Sequence, residues 1–153
     1  MASNRHLGRI IALQTLYEFD FRHDSGDANL QLDEVLQRNL DRYSETIDDK
    51  TFVEKLVKGV EADKTRLDAI IGPIAPDWPL EQILRIDLAI MRIALFELTK
   101  MGKQVPPKVA INEAVELAKA FGSDSSSKFV NGVLGTAYSK LIESKADAAS
   151  SKA

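Results

Sequence analysis

The chain has 153 residues, 44% hydrophobic and 28% charged, with a formal net charge of −3. That length and apolar fraction suffice for one globular domain with a real core. The charge balance shows no bulk basic character, so any nucleic-acid site must be a local one in an otherwise acidic protein. The absence of cysteine excludes disulfides, thiolate metal sites and cysteine nucleophiles, and fits a reducing compartment.

Residues 4–22 carry apolar residues at helical spacing. At about 100° per residue, Leu7, Ile10, Ile11, Leu13, Tyr17 and Phe21 fall on one side, with Arg5 and Arg9 on the other. His23-Asp24-Ser25-Gly26-Asp27 breaks this helix with turn formers. A second helix over about 30–43 carries Leu32, Val35, Leu36 and Leu40. Asp48-Asp49 caps a third over about 50–71, which carries Phe52, Val53, Leu56, Val57, Val60, Leu67 and Ile71. Residues 72–79 hold three of the five prolines and form the best internal boundary, because proline cannot continue a helix.

Beyond that boundary, residues 80–101 read as helical, with a break near Arg85-Ile86. A helix over about 108–121 is stopped by Gly122, and a last one runs from Ser125-Ser126-Ser127 to about Ser144. No segment alternates as a strand does. The expectation is an all-α bundle of six to seven helices, a single domain over 1–145 in two three-helix-like halves (about 1–76 and 77–145). A small, polar tail at 146–153 reads as disordered. The N-terminus shows no apolar signal core. The longest apolar run, Ile86 to Leu98, is broken by Asp87, Arg92 and Glu97 and is too short for a bilayer. A soluble cytoplasmic protein is expected.

The stretch 107–135 is the most informative. It places two amphipathic helices around a serine-rich turn, and Phe129 in the second lies off the apolar face. With Val130, Val133, Leu134, Ala137 and Leu141 on one side, Phe129 sits roughly 120° from their centre. An aromatic off the buried stripe and beside Lys128 is a candidate platform for an unpaired base. The alternative is a ring that plugs a neighbouring helix or closes the turn. The serines start a helix whose free N–H groups suit an anion, though ordinary capping explains them as well. Asn112 and Asn131 read as a hydrogen bond between the last two helices, and Gly132 and Gly135 as points of close helix approach. Lys100, Lys103 and Lys108 could extend a phosphate track. His6 and His23 do not make a metal pair, and no phosphate-cradling loop or nucleophile–base pair is evident, so neither an enzyme nor a cofactor is expected.

Several motifs together resemble the bacterial NusB family of transcription antitermination factors. They are Ala12-Leu13-Gln14-Thr15-Leu16-Tyr17, Ile90-Met91-Arg92-Ile93-Ala94-Leu95-Phe96-Glu97-Leu98, the helix Val109 to Lys119, and Lys128-Phe129-Val130-Asn131-Gly132-Val133-Leu134. The similarity covers residues 5–142. The resemblance implies an all-helical fold that binds boxA RNA of ribosomal RNA transcripts together with NusE, a ribosomal small-subunit protein, in a complex that modifies RNA polymerase. It implies an RNA site built from Arg5, His6, Arg9, Tyr17, Glu81, Asp87, Lys128 and Phe129. Leu7 and Gly8 interrupt the N-terminal basic motif, so RNA affinity without a partner is expected to be low. Tyr17 reads as core packing with its hydroxyl outward. Glu81 and Asp87 can accept from base amino groups or pair with a basic partner. The same fold opens certain ribosomal RNA cytosine methyltransferases, but this chain has neither room for a methyltransferase domain nor its cysteine. The competing reading is an all-helical protein–protein adaptor with weak or no RNA binding.

Overall fold

A computed structural model describes residues 5–75, 77 and 79–143. The expected disordered tail at 146–153 lies outside these residues. Among them the elements are helices α1 (Arg5–Asp24), α2 (Leu32–Arg42), α3 (Lys50–Ala62), α4 (Lys64–Ile74), α5 (Arg85–Lys100), α6 (Pro107–Phe121) and α7 (Ser126–Tyr138). A 3₁₀ turn at Leu80–Gln82 precedes α5, and a π turn at Ser139–Glu143 comes after α7. None of the described residues is in a strand. No described helix is long and apolar enough to cross a membrane.

The contacts divide the chain into two compact units, 1–62 and 63–153. The division falls ahead of the proline-rich stretch that the sequence offered as the boundary. The reason is α4, which packs on α5 and α7 and so belongs with the C-terminal helices. The expected helix over 50–71 is accordingly two helices. They part at Asp63, whose carboxylate holds the Arg66 guanidinium one turn on. Aspartate offers the backbone such local alternatives and favours helix ends. α4 also runs through Gly72 and Pro73 to Ile74, where a stop was expected. Pro73 sits one residue from the end of α4, so the helix forgoes a backbone bond to the Ala69 carbonyl where few turns remain to be disturbed.

In the first unit, α1 packs against α2 and α3. The Asp49 carboxylate accepts from the Phe52 N–H at 3.1 Å and caps α3 as expected. Gly8 makes the α1–α3 contact possible, since a Cβ there would stand 3.1 Å from the Phe52 ring and 3.4 Å from Val53. The buried side of α1 therefore runs through Gly8, Arg9, Ile11, Ala12, Leu13, Thr15 and Leu16. This is rotated from the expected stripe, whose end residue Phe21 is 50% exposed. A buried polar pair registers α1 on α2. Asn39 Nδ2 donates to Thr15 Oγ1 at 2.9 Å, and the Thr15 hydroxyl donates to the Ile11 carbonyl at 2.8 Å. Every member of this short chain finds a partner, as buried polar groups must.

In the second unit, α5 is the central helix. It is buried continuously from Asp87 to Met91 and again from Ile93 to Leu98. A helix apolar on nearly all sides belongs in a core, and α4, α6 and α7 all pack on it. Arg92 interrupts the apolar run without exposing it. Its guanidinium makes a two-pronged pair with Asp68 of α4, at 2.7 and 2.9 Å. Arg66 of α4 likewise donates to Thr99 of α5 at 2.8 Å. On α7 the residues facing this core are Val130, Val133, Leu134 and Ala137.

The turn from α6 to α7 has no room to spare. A Cβ on Gly122 would lie 2.5 Å from both Cβ and Oγ of Ser126 and 2.8 Å from the Ala118 carbonyl oxygen. Replacing Gly122 with alanine must push the start of α7 aside, and should cost about 1–3 kcal/mol, the usual range for an overpacked site. Urea denaturation of the purified variant measures this; an unchanged midpoint would show that the turn is slack.

Candidate nucleic-acid interface

Ser126 is the first helical residue of α7 and is 1% exposed. Its Oγ accepts from the Ser123 N–H at 2.9 Å and meets the Ser123 hydroxyl at 3.1 Å. The Ser126 hydroxyl also lies near the carboxyl of Asp87, in the first turn of α5, and favours its charged form. One buried hydroxyl thus holds the serine-rich turn together beside the start of the central helix. Two and three residues later, α7 presents Lys128, which is exposed, and Phe129, which is half-buried. Phe129 belongs neither to the buried core nor to the widely exposed apolar residues.

Beside the Phe129 ring lies a cavity of about 330 Å³, lined also by Gln82, Ile83, Leu84, Asp87 and Lys128. Leu84 is 50% exposed, so an apolar lip flanks the opening. The arrangement offers an aromatic face, an apolar edge, a cation and a carboxyl within one small volume. These groups suit a flat, polar-edged ring tied to a phosphate.

Without the family likeness, the sequence makes Asp87 a solvated helix charge. In the structure it is 4% exposed. Its Oδ1 is buried with no hydrogen-bond partner. Burial raises the carboxyl above the usual aspartate range, and the nearby Ser126 hydroxyl works in the opposite direction. Such an orphaned, desolvated acceptor costs stability unless something donates to it.

The other expected site residues divide between the units. Glu81 is exposed in the 3₁₀ turn before α5. In the first unit His6 is exposed, Arg5 is half-buried and Arg9 is 3% exposed. The guanidinium carbons of Arg5 and Arg9 lie 4.9 and 5.2 Å from the centre of the Phe52 ring. Arg9 is therefore part of the α1–α3 packing rather than of an open basic stripe. Tyr17 is half-buried, and its ring stacks on exposed Phe21 at 6.3 Å instead of entering the core. Lys100, Lys103 and Lys108 are exposed, and none of them lines the Phe129 cavity. Two structural expectations on the last helices fail. Asn112 and Asn131 are both exposed rather than bridging α6 to α7, and a Cβ on Gly132 or Gly135 would meet nothing within 4 Å. Among the described residues no group of three histidine, aspartate or glutamate side chains could hold a metal. Sequence reasoning reads Gly122 only as a helix stop and Ser126 only as one of three starting serines, and misses the tight packing of the two. The serine run hid Ser126, because capping accounts for any of its members.

Asp87 carries a pH signature. The folded chain holds this proton to a higher pH than the unfolded chain does. The stability it contributes is complete below the ordinary aspartate range, about pH 3.9, and is lost as pH rises through the elevated value. Asp87→Asn removes that loss. The variant's melting midpoint relative to the unmodified protein should be higher at pH 7 than at pH 4. Equal differences at the two pH values would mean that the carboxyl is not desolvated.

Against known proteins, the NusB family model matches residues 6–139. The chain is 45% identical to the transcription antitermination protein NusB of Chloroflexus aggregans over 143 residues, 93% of this chain and 91% of that protein. It is 46% identical to NusB of Roseiflexus castenholzii over 144 residues, 94% of this chain and 97% of that protein. A solved structure of T. maritima NusB has a TM-score of 0.77 at 30% identity, covering 87% of this chain and 89% of that one. A chain in a crystal structure of antitermination factors NusB and NusE in complex with dsRNA has a TM-score of 0.79 at 22% identity. It covers 92% of this chain and all (100%) of its own length, and supports the fold. With a family match across all seven helices and relatives that align nearly end to end, this chain belongs to the NusB family.

Proposed function

We propose that this protein is a transcription antitermination factor of the cytoplasm that binds single-stranded, boxA-type RNA together with NusE, within an antitermination complex on RNA polymerase. The observation that carries the reading is Phe129. Its ring stands off the buried face of α7, beside exposed Lys128 and a cavity of about 330 Å³. A base stacked on such a ring gains about 1–3 kcal/mol. Lys128 supports a phosphate, and the Asp87 carboxyl provides an acceptor on the cavity wall. Glu81, in the turn at the head of α5, is a second acceptor for a base or a basic partner. In the first unit, His6, Arg5 and Tyr17 are further candidate RNA contacts, and Arg9, buried against Phe52, adds charge there.

The need for NusE comes from charge. The chain is net acidic, and Arg9 gives its guanidinium to the Phe52 ring. The N-terminal basic motif therefore offers little exposed charge to phosphates, and phosphate neutralisation dominates RNA affinity. A basic partner completes the surface. The relatives' name and the solved complex of NusB with NusE and dsRNA support the same assignment.

The deciding experiment is a titration of boxA-like and scrambled single-stranded RNA with the purified protein, alone and with NusE. NusE should tighten binding of the boxA-like strand clearly more than that of the scrambled one. Equal affinities with and without NusE would refute a shared RNA surface.

A second measurement isolates the ring. Phe129→Ala should weaken RNA binding about five- to a hundred-fold. Its loss of folding stability should stay below the roughly 3–5 kcal/mol of a core phenylalanine. A large drop in melting temperature with normal RNA affinity would make Phe129 a packing residue and remove the centre of the site.

A further inference from the structure

Phe129 lines a second cavity as well. This one measures about 270 Å³ and is bounded by the end of α4 at Ile74 and Ala75, by Asp77, and by Gly132 and Thr136 of α7. Lys128 and Phe129 are the two residues common to both cavities. Along α7 the Phe129 side chain thus stands between the two, the first reaching back to Ser125 and the second on to Gly132 and Thr136.

That geometry is unlike a ring that lies with one face on the core. Stacking uses a π face, and an aromatic side chain has two. We infer that the second cavity takes a second nucleobase, so that two neighbouring bases of a single strand enclose Phe129 and the phosphate between them lies on Lys128. The inference rests on the RNA-binding reading above and extends it from a one-base platform to a two-base clamp. Apolar side chains are known to part successive bases in this way, and a single strand resists it less than a duplex.

Three features of the second cavity fit a base. Gly132 stands one turn along α7 from Phe129, and the space where its Cβ would be is open for 4 Å. The Thr136 hydroxyl donates to the Gly132 carbonyl at 3.1 Å, so that hydroxyl on the α7 wall is already bonded. Asp77 is exposed and lines the cavity. A carboxylate repels phosphate and accepts from base amino groups, so it orients the nucleotide with its base inward and its phosphate towards Lys128.

The test fills the second cavity from α7 and leaves the first untouched. The full chain with NusE is titrated with a boxA-like single-stranded oligoribonucleotide, comparing the unmodified protein with Gly132→Leu, Thr136→Leu and Phe129→Ala. Gly135→Leu serves as the control, since Gly135 is on the same helix, opens onto solvent and lines neither cavity. Gly132→Leu and Thr136→Leu should each bind RNA about fivefold more weakly or worse, the lower bound for one lost stacked base. Gly135→Leu should bind as the unmodified protein does, and melting midpoints should not fall. Should Gly132→Leu melt early, Thr136→Leu carries the measurement. Full affinity in both cavity variants, with weak binding by Phe129→Ala, would overturn the clamp and leave one-sided stacking intact. Full affinity in Phe129→Ala as well would overturn the RNA reading and the clamp together. Equal weakening in Gly135→Leu would trace the effect to helix stiffness and also overturn the clamp.

Discussion

The geometry of the second unit's site depends on the space missing at Gly122. Because no Cβ occupies it, Ser126 packs against the end of α6 and is sealed from solvent. From there its hydroxyl bonds the turn through Ser123 and stands beside the Asp87 carboxyl of the central helix. These bonds fix where α7 begins and how it is rotated. With Val130, Val133, Leu134 and Ala137 turned to the core, the helical period leaves Lys128 and Phe129 on its outer flank. A single glycine thus sets the orientation of an aromatic seven residues further along the chain.

Two carboxylates that meet α5 contrast in how their charge is met. Asp68 is answered by both prongs of the Arg92 guanidinium, so charge and hydrogen bonds are satisfied together. Asp87 is more deeply buried yet has only a serine hydroxyl nearby, and its Oδ1 is left without a hydrogen-bond partner. Leucine at this position would fit the apolar surroundings and avoid the cost of desolvation. Local rules are broken most often where a site has another task. Asp87 beside the Phe129 cavity is such a break. The Asn39–Thr15 pair of the first unit, equally buried but fully bonded, shows how a structural polar group looks in the same protein.

The helices were legible because their apolar residues recur at the helical period and their ends carry turn formers. Asp49 capping α3 and Gly122 ending α6 were both readable as punctuation. The features that escaped reading depend on neighbours distant in sequence. The break at Asp63 leaves the apolar period of α3 and α4 in step, so periodicity alone could not reveal it. Pro73 read as a stop because the rule does not say how near the end of a helix a proline sits. The buried side of α1 was misjudged because Gly8 and Arg9 face Phe52, and neither residue type announces burial. Phe129 stood out by its angle to the α7 stripe. The burial of Asp87 could not, because the helix that covers it starts 39 residues later.

The arginines over Phe52 bear on how charge near the N-terminus is to be counted. A guanidinium is flat, weakly hydrated and able to lie against a ring, whereas an ammonium is compact and strongly hydrated. Lysine at position 9 would keep the formal charge, yet it would exchange a stacked plane for a point charge that draws water into the α1–α3 seam. Arginine here is thus partly an apolar building block that happens to be cationic. The formal charge of this segment and the charge it can offer to a polyanion are two separate quantities, and a substitution can change one while conserving the other.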